Sequence, residues 1–456
     1  MTPAFTKLQH TRALLVLGLP LVGSHLAQFG VHVTDTVMLG WYGVNELASV
    51  VIGGMFWFVL FIVGSGFASA LPAVVASAMA RHDEVQVRRA TRMAFWLSLI
   101  YATVTAPVFL FSERILLFAG QDPEVARLAG DYLMIAGWGI YPSLMIMVLK
   151  SYLSGLERTA VVLWVTVGAA LIHGFTNWVL IFGHLGFPEL GVRGAAISTL
   201  LTETMAFIIL ARYAVRAYPE HQLFSRFWRP DNQAMARIFA LGWPIGLTIF
   251  AETGLFAGAS LMMGWISPIS LAAHGIALQL ASFAFLIHLG FANAATIRAG
   301  RAQGQGDPYA LRQGALAAVM LSISIAIVAS GVFYVFAEPL LSLFLDPADP
   351  DTPAVIVAGI GLVYIAAIFQ LADGGQAMAI GLLRGIQDTR VPMYIAIVCY
   401  WFVGMPVAYG LGFGMNWGGQ GVWLGLVIGL VTVWISLSVR FWLFGAREPA
   451  PGSTPA

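Results

Sequence analysis

The chain has 456 residues, of which 59% are hydrophobic and 10% charged, with a net charge near +1. Soluble domains carry roughly 25% charge, so a soluble globular fold is excluded, and near-neutrality points to neither an acidic nor a basic macromolecular partner. The single cysteine, Cys399, excludes an intrachain disulfide and any multi-cysteine metal site.

A membrane span needs about 20 apolar residues. Twelve such stretches are predicted, at 13–37, 47–77, 93–111, 128–152, 161–183, 192–215, 238–263, 270–297, 314–336, 355–382, 391–411 and 420–444. The expected fold class is therefore an all-α polytopic membrane protein. The first ten residues lack a small-residue cleavage site and run straight into a full-length span, which reads as a short lead-in and not a removable signal.

In the first span Ser24, Gln28, His32 and Asp35 fall within an arc of about 80° on a helix. His173, Thr176 and Asn177 share a side of the fifth, and Thr199, Thr202 and Glu203 a side of the sixth. Residues 216–237 form a polar connector. In the seventh span Thr248 precedes Glu252 by one turn, and Gly254 and Gly258 permit close backbone approach. Gln370, Asp373 and Gln376 share one side of the tenth, and Gly421, Gly425 and Gly429 mark a close-packing face in the twelfth. The segment 445–456, rich in Pro, Gly and Ala, reads as a disordered tail.

The chain contains its own repeat. Residues 17–94 match 241–318 without a gap at a shift of 224: Leu17-Gly18-Leu19-Pro20 meets Leu241-Gly242-Trp243-Pro244, and Asp83 meets Asp307. At a shift of 230, Leu153-Ser154-Gly155-Leu156 meets Leu383-Arg384-Gly385-Ile386. Two copies of a six-span unit, 1–215 and 238–444, are expected, forming pseudo-symmetric six-helix bundles related by an axis along the membrane normal. Duplicated units of this kind bind what they move in the cleft between them, so a transporter is expected. Pro20 and Pro244 hold the same repeat position and bend their helices before Gln28 and Glu252.

Assigning loops alternately to two sides places 20 basic residues on one side and three (Arg114, Arg127, Arg193) on the other. The positive-inside rule makes the crowded side cytoplasmic, with both termini there. These loops are short and scattered, unlike a nucleic-acid surface. A multi-pass protein of the inner (plasma) membrane is expected.

Only Asp35, Glu203, Glu252 and Asp373 among 22 acidic residues lie well inside predicted spans. A carboxylate at mid-membrane costs about 2.5–3.5 kcal/mol even on the lenient insertion scale. The repeat twins of Asp35, Glu252 and Asp373 are Ala259, Gln28 and Ser143, so these acids are not remnants of a shared scaffold. The plainer alternative for polar groups in spans is helix–helix glue. It is preferred for Glu203, His32 and His173, stands even for Asn177, and is disfavoured for Asp35, Glu252 and Asp373. Lys150 and the histidines are the only cationic groups read near span interiors. No GxxxxGK[ST], HExxH, GxSxG or GxGxxG pattern occurs, so neither ATP-driven pumping nor an enzyme is expected. An ion or substrate gradient must supply the energy.

Asp35 within Thr34-Asp35-Thr36-Val37-Met38, Glu252, Gln370-x2-Asp373-x2-Gln376, Gly385-x2-Asp388-Thr389 and Gly155-x-Glu157-Arg158-Thr159 together resemble the multidrug and toxic compound extrusion (MATE) family, in particular its bacterial NorM-like branch. The resemblance spans about residues 10–445. It implies a V-shaped pair of bundles exporting amphiphilic, often cationic drugs in exchange for H+ or Na+. It further implies a cation site at Glu252 and Asp373, where Na+ is a possible ligand, and a polar site at Asp35 with Asn177, beside Gln28 and His32. Thr248, Gln370, Gln376, Glu203 and Phe285 are secondary candidates. Some relatives add a tyrosine from the eighth span, where this chain has none and Phe285 stands near the expected place.

The expected mechanism is antiport: two poorly solvated acids repel one another, a bound cation relieves the repulsion, and its loss restores the charge that attracts a cationic drug. Partners are then drugs, the coupling ion and the bilayer, with no other cofactor, and a monomer is expected. The alternative is a lipid-linked precursor flippase of related two-bundle plan, which would want cationic groups for phosphates. A membrane-embedded enzyme or a receptor accounts for neither the duplication nor the missing motifs.

Overall fold

The structure is a computed structural model that describes residues 7–446. The residues before 7 and the tail from 447, Arg447 included, lie outside the described residues. Among the described residues every regular element is helical, and twelve helical segments are long and apolar enough to cross a membrane. They are Leu8–Tyr42, Asn45–Ala80, Glu84–Leu110, Pro123–Gly155, Thr159–Phe182, Gly191–Ala217, Asn232–Ile266, Pro268–Gln305, Pro308–Val335, Thr352–Gly385, Arg390–Gly414 and Gly418–Gly445, here spans 1 to 12. Each coincides with one predicted stretch. Several run past it into polar sequence, because helical hydrogen bonding continues until a cap or turn stops it.

Those stops repeat with the sequence. Asp83 caps span 3 by accepting from the Gln86 amide at 2.9 Å, and its twin Asp307 caps span 9 by accepting from Ala310 at 2.8 Å. Just before them, His82 and its twin Gly306 both adopt left-handed backbone, with φ of 56° and 65°. Spans 4 and 10 end alike. Glu157 and Gln387 have φ of 61° and 62°, and the amides of Arg158 and Asp388 reach back to the carbonyls of Leu153 and Leu383 at 2.8 and 2.9 Å. Such turns close the last carbonyls of a helix that would otherwise go unpaired.

The chain divides into two compact units, residues 23–246 and residues 1–22 with 247–456. They are called here the first and second unit. The opening half of span 1 thus packs with the second copy, and the opening half of span 7 with the first. Paired glycines make these contacts. In the first unit a Cβ on Gly66 would strike the backbone of Gly242 and Gly246, and one on Gly242 would lie 2.7 Å from Phe67 Cα. In the second unit a Cβ on Gly290 would lie 2.7 Å from the Val22 amide, and one on Gly18 would strike the Phe291 ring. These are twin positions at the 224 shift.

The connector is folded onto the first unit. Leu223 and His221 are each 1% exposed. His221 Nδ1 bonds the Tyr152 hydroxyl at 2.5 Å, Trp96 Nε1 donates to Phe227 O at 2.8 Å, and Arg92 Nε to Leu223 O at 2.9 Å. Arg89 pairs with Asp231, which also caps the helix beginning at Asn232 by accepting from Ala234 at 3.0 Å.

Candidate functional site

Each unit holds a polar cluster around a buried acid inside its apolar helices. In the first unit the stripe of span 1 brings Asp35 against span 5. Asp35 Oδ1 lies 2.8 Å from His173 Nε2 and accepts from Asn177 Nδ2 at 2.6 Å. His173 and Asn177 are 1% and 0% exposed. Span 6 closes the cluster through Ser198, whose hydroxyl lies 2.5 Å from that of Thr176 and donates to the His173 carbonyl at 3.3 Å. One turn of spacing makes the arrangement: His173 and Asn177 are four apart, so a single helix face presents both to one carboxylate.

Two members of the predicted site do not join it. Gln28 and His32 lie on exposed parts of span 1, and neither shares a hydrogen bond with Asp35. The stripe covers about 80° of arc, and Asp35 occupies the part that meets span 5; His32 remains within electrostatic reach of Asp35 and His173. Ser24, at the start of the stripe, bonds Thr166 at 3.0 Å. Glu203, half-buried in span 6, lies within electrostatic reach of Lys150 and of His173.

In the second unit Gln376 Nε2 donates to Glu252 Oε1 at 2.5 Å, and the Tyr400 hydroxyl donates to Gln376 Oε1 at 2.7 Å. Span 7 lets span 11 come this close. A Cβ at Gly254 would lie 2.7 Å from Trp401 Cζ2, a Cβ at Gly258 would strike the Met405 methyl, and Trp401 Nε1 donates to Ala251 O at 3.2 Å. Asp373 is 3% exposed and close enough to Glu252 for their charges to act on each other, and no hydrogen bond to its side chain occurs among the described residues. Gln370, one turn before it, is fully buried with both amide atoms unpartnered. Thr248 is buried one turn before Glu252. Phe285 is half-buried in span 8.

Three residues of this cluster were not legible as site residues. Tyr400 lies in a π-helical stretch, Val398–Gly404, of a span whose sequence is otherwise apolar. The extra residue per turn of a π-helix changes which side chains share a face, so α-helical spacing does not find it. Arg384, counted with the loop charges, is instead half-buried in the last turn of Thr352–Gly385, where its charge acts on Glu252. The reading of Lys150 and the histidines as the only cations near span interiors is corrected accordingly. His288 packs against Gly374, beside Asp373, where a Cβ would come within 2.5 Å of its ring, and its Nε2 is buried without a partner. Only the missing Cβ at Gly374 makes room for that imidazole.

The clusters are distinct from two open grooves, of about 290 and 250 Å³, which are lined by residues such as Trp434 and Trp442 or Trp164 and Met205 and by no acid. Among the described residues no group of three His, Cys, Asp or Glu side chains is arranged to hold a metal ion.

A sequence model of the MatE family matches residues 20–179 and 244–410, two segments that follow the repeat. The chain is 47% identical over 444 residues to the probable multidrug resistance protein NorM of Rhizobium meliloti (strain 1021), covering 97% of this chain and 95% of that one. It is 44% identical over 441 residues to the protein of the same name from Agrobacterium fabrum, covering 96% and 95%. Among solved structures, the eukaryotic MATE transporter AtDTX14 superposes with a TM-score of 0.87 at 20% identity, covering 96% of this chain and 97% of that one. An outward-facing multidrug resistance MATE family transporter gives 0.87 at 19%, covering 96% of each. At those identities the structures speak for the fold, and the sequence relatives for the family. The twelve-span repeat, the two acid clusters and these matches agree that the chain is a multi-pass membrane protein belonging to the MATE family, a family of transporters and not of enzymes, on its NorM-like branch.

Proposed function

We propose that this protein is a cation-coupled multidrug antiporter of the bacterial plasma membrane, exporting amphiphilic, often cationic compounds by alternating access. The observation that carries the reading is the pair Glu252 and Asp373, two acids within electrostatic reach of each other in one apolar helical unit. Two like charges in a poorly hydrated interior raise each other's energy, and a proton or Na+ relieves it. Gln376 and Tyr400 fix the Glu252 carboxylate, while Asp373 is left able to exchange its cation. Entry of the cation neutralises the pair and favours drug release; its loss restores negative charge and favours drug binding. Where only the coupling charge crosses, about 100 mV supplies about 2.3 kcal/mol, roughly a fifty-fold drug gradient. Asp35 with Asn177 forms the polar site of the first unit. The protein acts as a monomer, with its basic loops and both termini facing the cytoplasm.

The names of the relatives support the drug-export part of this reading. The experiment is ethidium efflux from proteoliposomes under a pH gradient without sodium, then under a sodium gradient at uniform pH. One of the two gradients is expected to drive efflux. Efflux indifferent to both, or movement of a lipid-linked phosphate in place of the dye, overturns the reading.

A further inference from the structure

We infer that the open groove of the second unit, between spans 9, 10 and 12, seats one acyl chain of an anionic phospholipid, with the lipid phosphate at the end marked by Arg312 and Arg440. The repeat carries the argument. In the first unit the matching surface of spans 3 and 4 is covered by the connector. Phe95 of span 3 lies 5.7 and 6.1 Å from the rings of Phe224 and Phe227, and the Tyr152 hydroxyl of span 4 bonds His221. Phe95 and Tyr152 are thereby 1% and 0% exposed, in one apolar cluster with Leu223.

In the second unit their twins are Val319, at the 224 shift, and Leu382, at the 230 shift, and both line the groove of about 290 Å³. Its rim is apolar and open, with Ile435 56% and Val439 47% exposed. The residues that follow span 12, as the connector follows span 6, cannot play the connector's part: 447–456 include no Leu, Ile, Val, Met, Phe, Tyr or Trp. An unfilled recess forfeits the dispersion contacts of its lining, and lipid tails are as apolar as the side chains that fill the first unit's surface. Gly375 and Ala379 give span 10 a floor of small residues, and the Trp434 indole lies across Gly375, where a Cβ would strike it. From Gly375 to Leu382 that floor runs about 10 Å, against roughly 15 Å for half the hydrocarbon core.

Charge selects the lipid. Arg312 stands two turns before Val319 on the same face of span 9, exposed and in no ion pair among the described residues. Arg440 sits between the groove residues Val439 and Phe441. Its Nε donates to Asp388 Oδ2 at 2.9 Å and its guanidinium lies 5.0 Å from the Phe444 ring centre, which leaves the terminal nitrogens without hydrogen bonds among the described residues. A guanidinium fork matches phosphate oxygens. Trp442 closes the same end, as indoles do at headgroup level. Ser438, one turn further in, offers a hydroxyl at the depth of the ester carbonyls.

The test is binding and does not depend on transport. Delipidated full-length protein is offered phosphatidylglycerol and phosphatidylcholine of equal chain length, and bound lipid is counted by native mass spectrometry. A single phosphatidylglycerol retained ahead of phosphatidylcholine is expected. Val319→Phe with Ala379→Leu gives the second unit the side chains that the first holds at Phe95 and Leu149, and should remove that lipid. Arg312→Gln should weaken the preference for phosphatidylglycerol. Equal retention of both lipids, a phosphatidylglycerol that survives the filled groove, or a preference unchanged by Arg312→Gln overturns the inference. Lipid retention that rises on deletion of residues 447–456 would make the tail the occupant, and a dimer that lipid dissociates would make it a second copy; either overturns it too. Should the filled variant fail to fold, phosphatidylglycerol with brominated chains decides the matter. It should quench the fluorescence of the unsubstituted protein by an amount that falls with Trp434→Phe, and quenching unaffected by that substitution overturns the inference.

Discussion

The two units share one scaffold and differ in what they do with a buried acid. In the first, Asp35 is met by an imidazole and an amide from a single helix face. In the second, Glu252 is held by Gln376, which Tyr400 of another helix holds in turn, and Asp373 is bonded by no side chain among the described residues. Caps, turns and close glycine contacts recur at twin positions, whereas the acids have no charged twins. Duplication preserved the backbone. The interiors diverged because a polar side chain at a core position is not needed for the shared helix packing and is free to serve one copy only.

The largest expected effect tests the functional half of that contrast. Glu252→Gln or Asp373→Asn should reduce gradient-driven ethidium efflux to the level of empty liposomes while the purified protein stays monodisperse, whereas Asp35→Asn should leave part of the coupled efflux. Equal residual efflux in all three would mean that the units are not specialised.

The scaffold half is tested by twin glycines. Gly66→Ala and Gly290→Ala place a methyl group against backbone of the facing helix in their respective units, and overpacking of this kind costs about 1–3 kcal/mol. Similar losses in thermal stability are expected from both. A neutral result in one unit alone would break the equivalence.

A smaller effect is expected from Tyr400→Phe, which strips the donor from Gln376 Oε1 and leaves a buried acceptor orphaned. A loss of about 1 kcal/mol in stability is expected, with weakened coupling because Gln376 then holds Glu252 less firmly. Unchanged efflux would remove Tyr400 from the site.

The smallest effect concerns the connector, which packs on the first unit. Burial holds His221 below the ordinary histidine range, because desolvation disfavours its charged form. A group depressed in the folded state contributes stability that is present above its unfolded value and lost as pH falls through its folded value. Melting temperature should therefore fall on acidification below about pH 6.5, and His221→Gln should flatten that part of the profile. A slope unchanged by the substitution would assign it to other groups.

The acids themselves were visible because charge inside an apolar span is conspicuous, and subtracting the repeat showed that Asp35, Glu252 and Asp373 are not shared. Their partners were less so. Spacing grouped Gln28 and His32 with Asp35, but a stripe shows only that residues share a face, and the neighbouring helix meets one part of it. His173 and Asn177 were visible as a polar side of span 5 without any sign that they meet Asp35. Tyr400 stayed hidden because π-helical turns shift the register, and Arg384 because a long side chain at a helix end reads the same whether it points outward or back along the helix.

Sequence alone determined the class, the number of spans and the duplication, since each depends on local composition or on self-similarity. Tertiary structure decided that the opening half of span 1 packs with the second copy, that the connector folds onto the first, and which polar groups meet each acid. Those choices depend on helix rotation and on approach distances set by single glycines, quantities that no local pattern along the chain records.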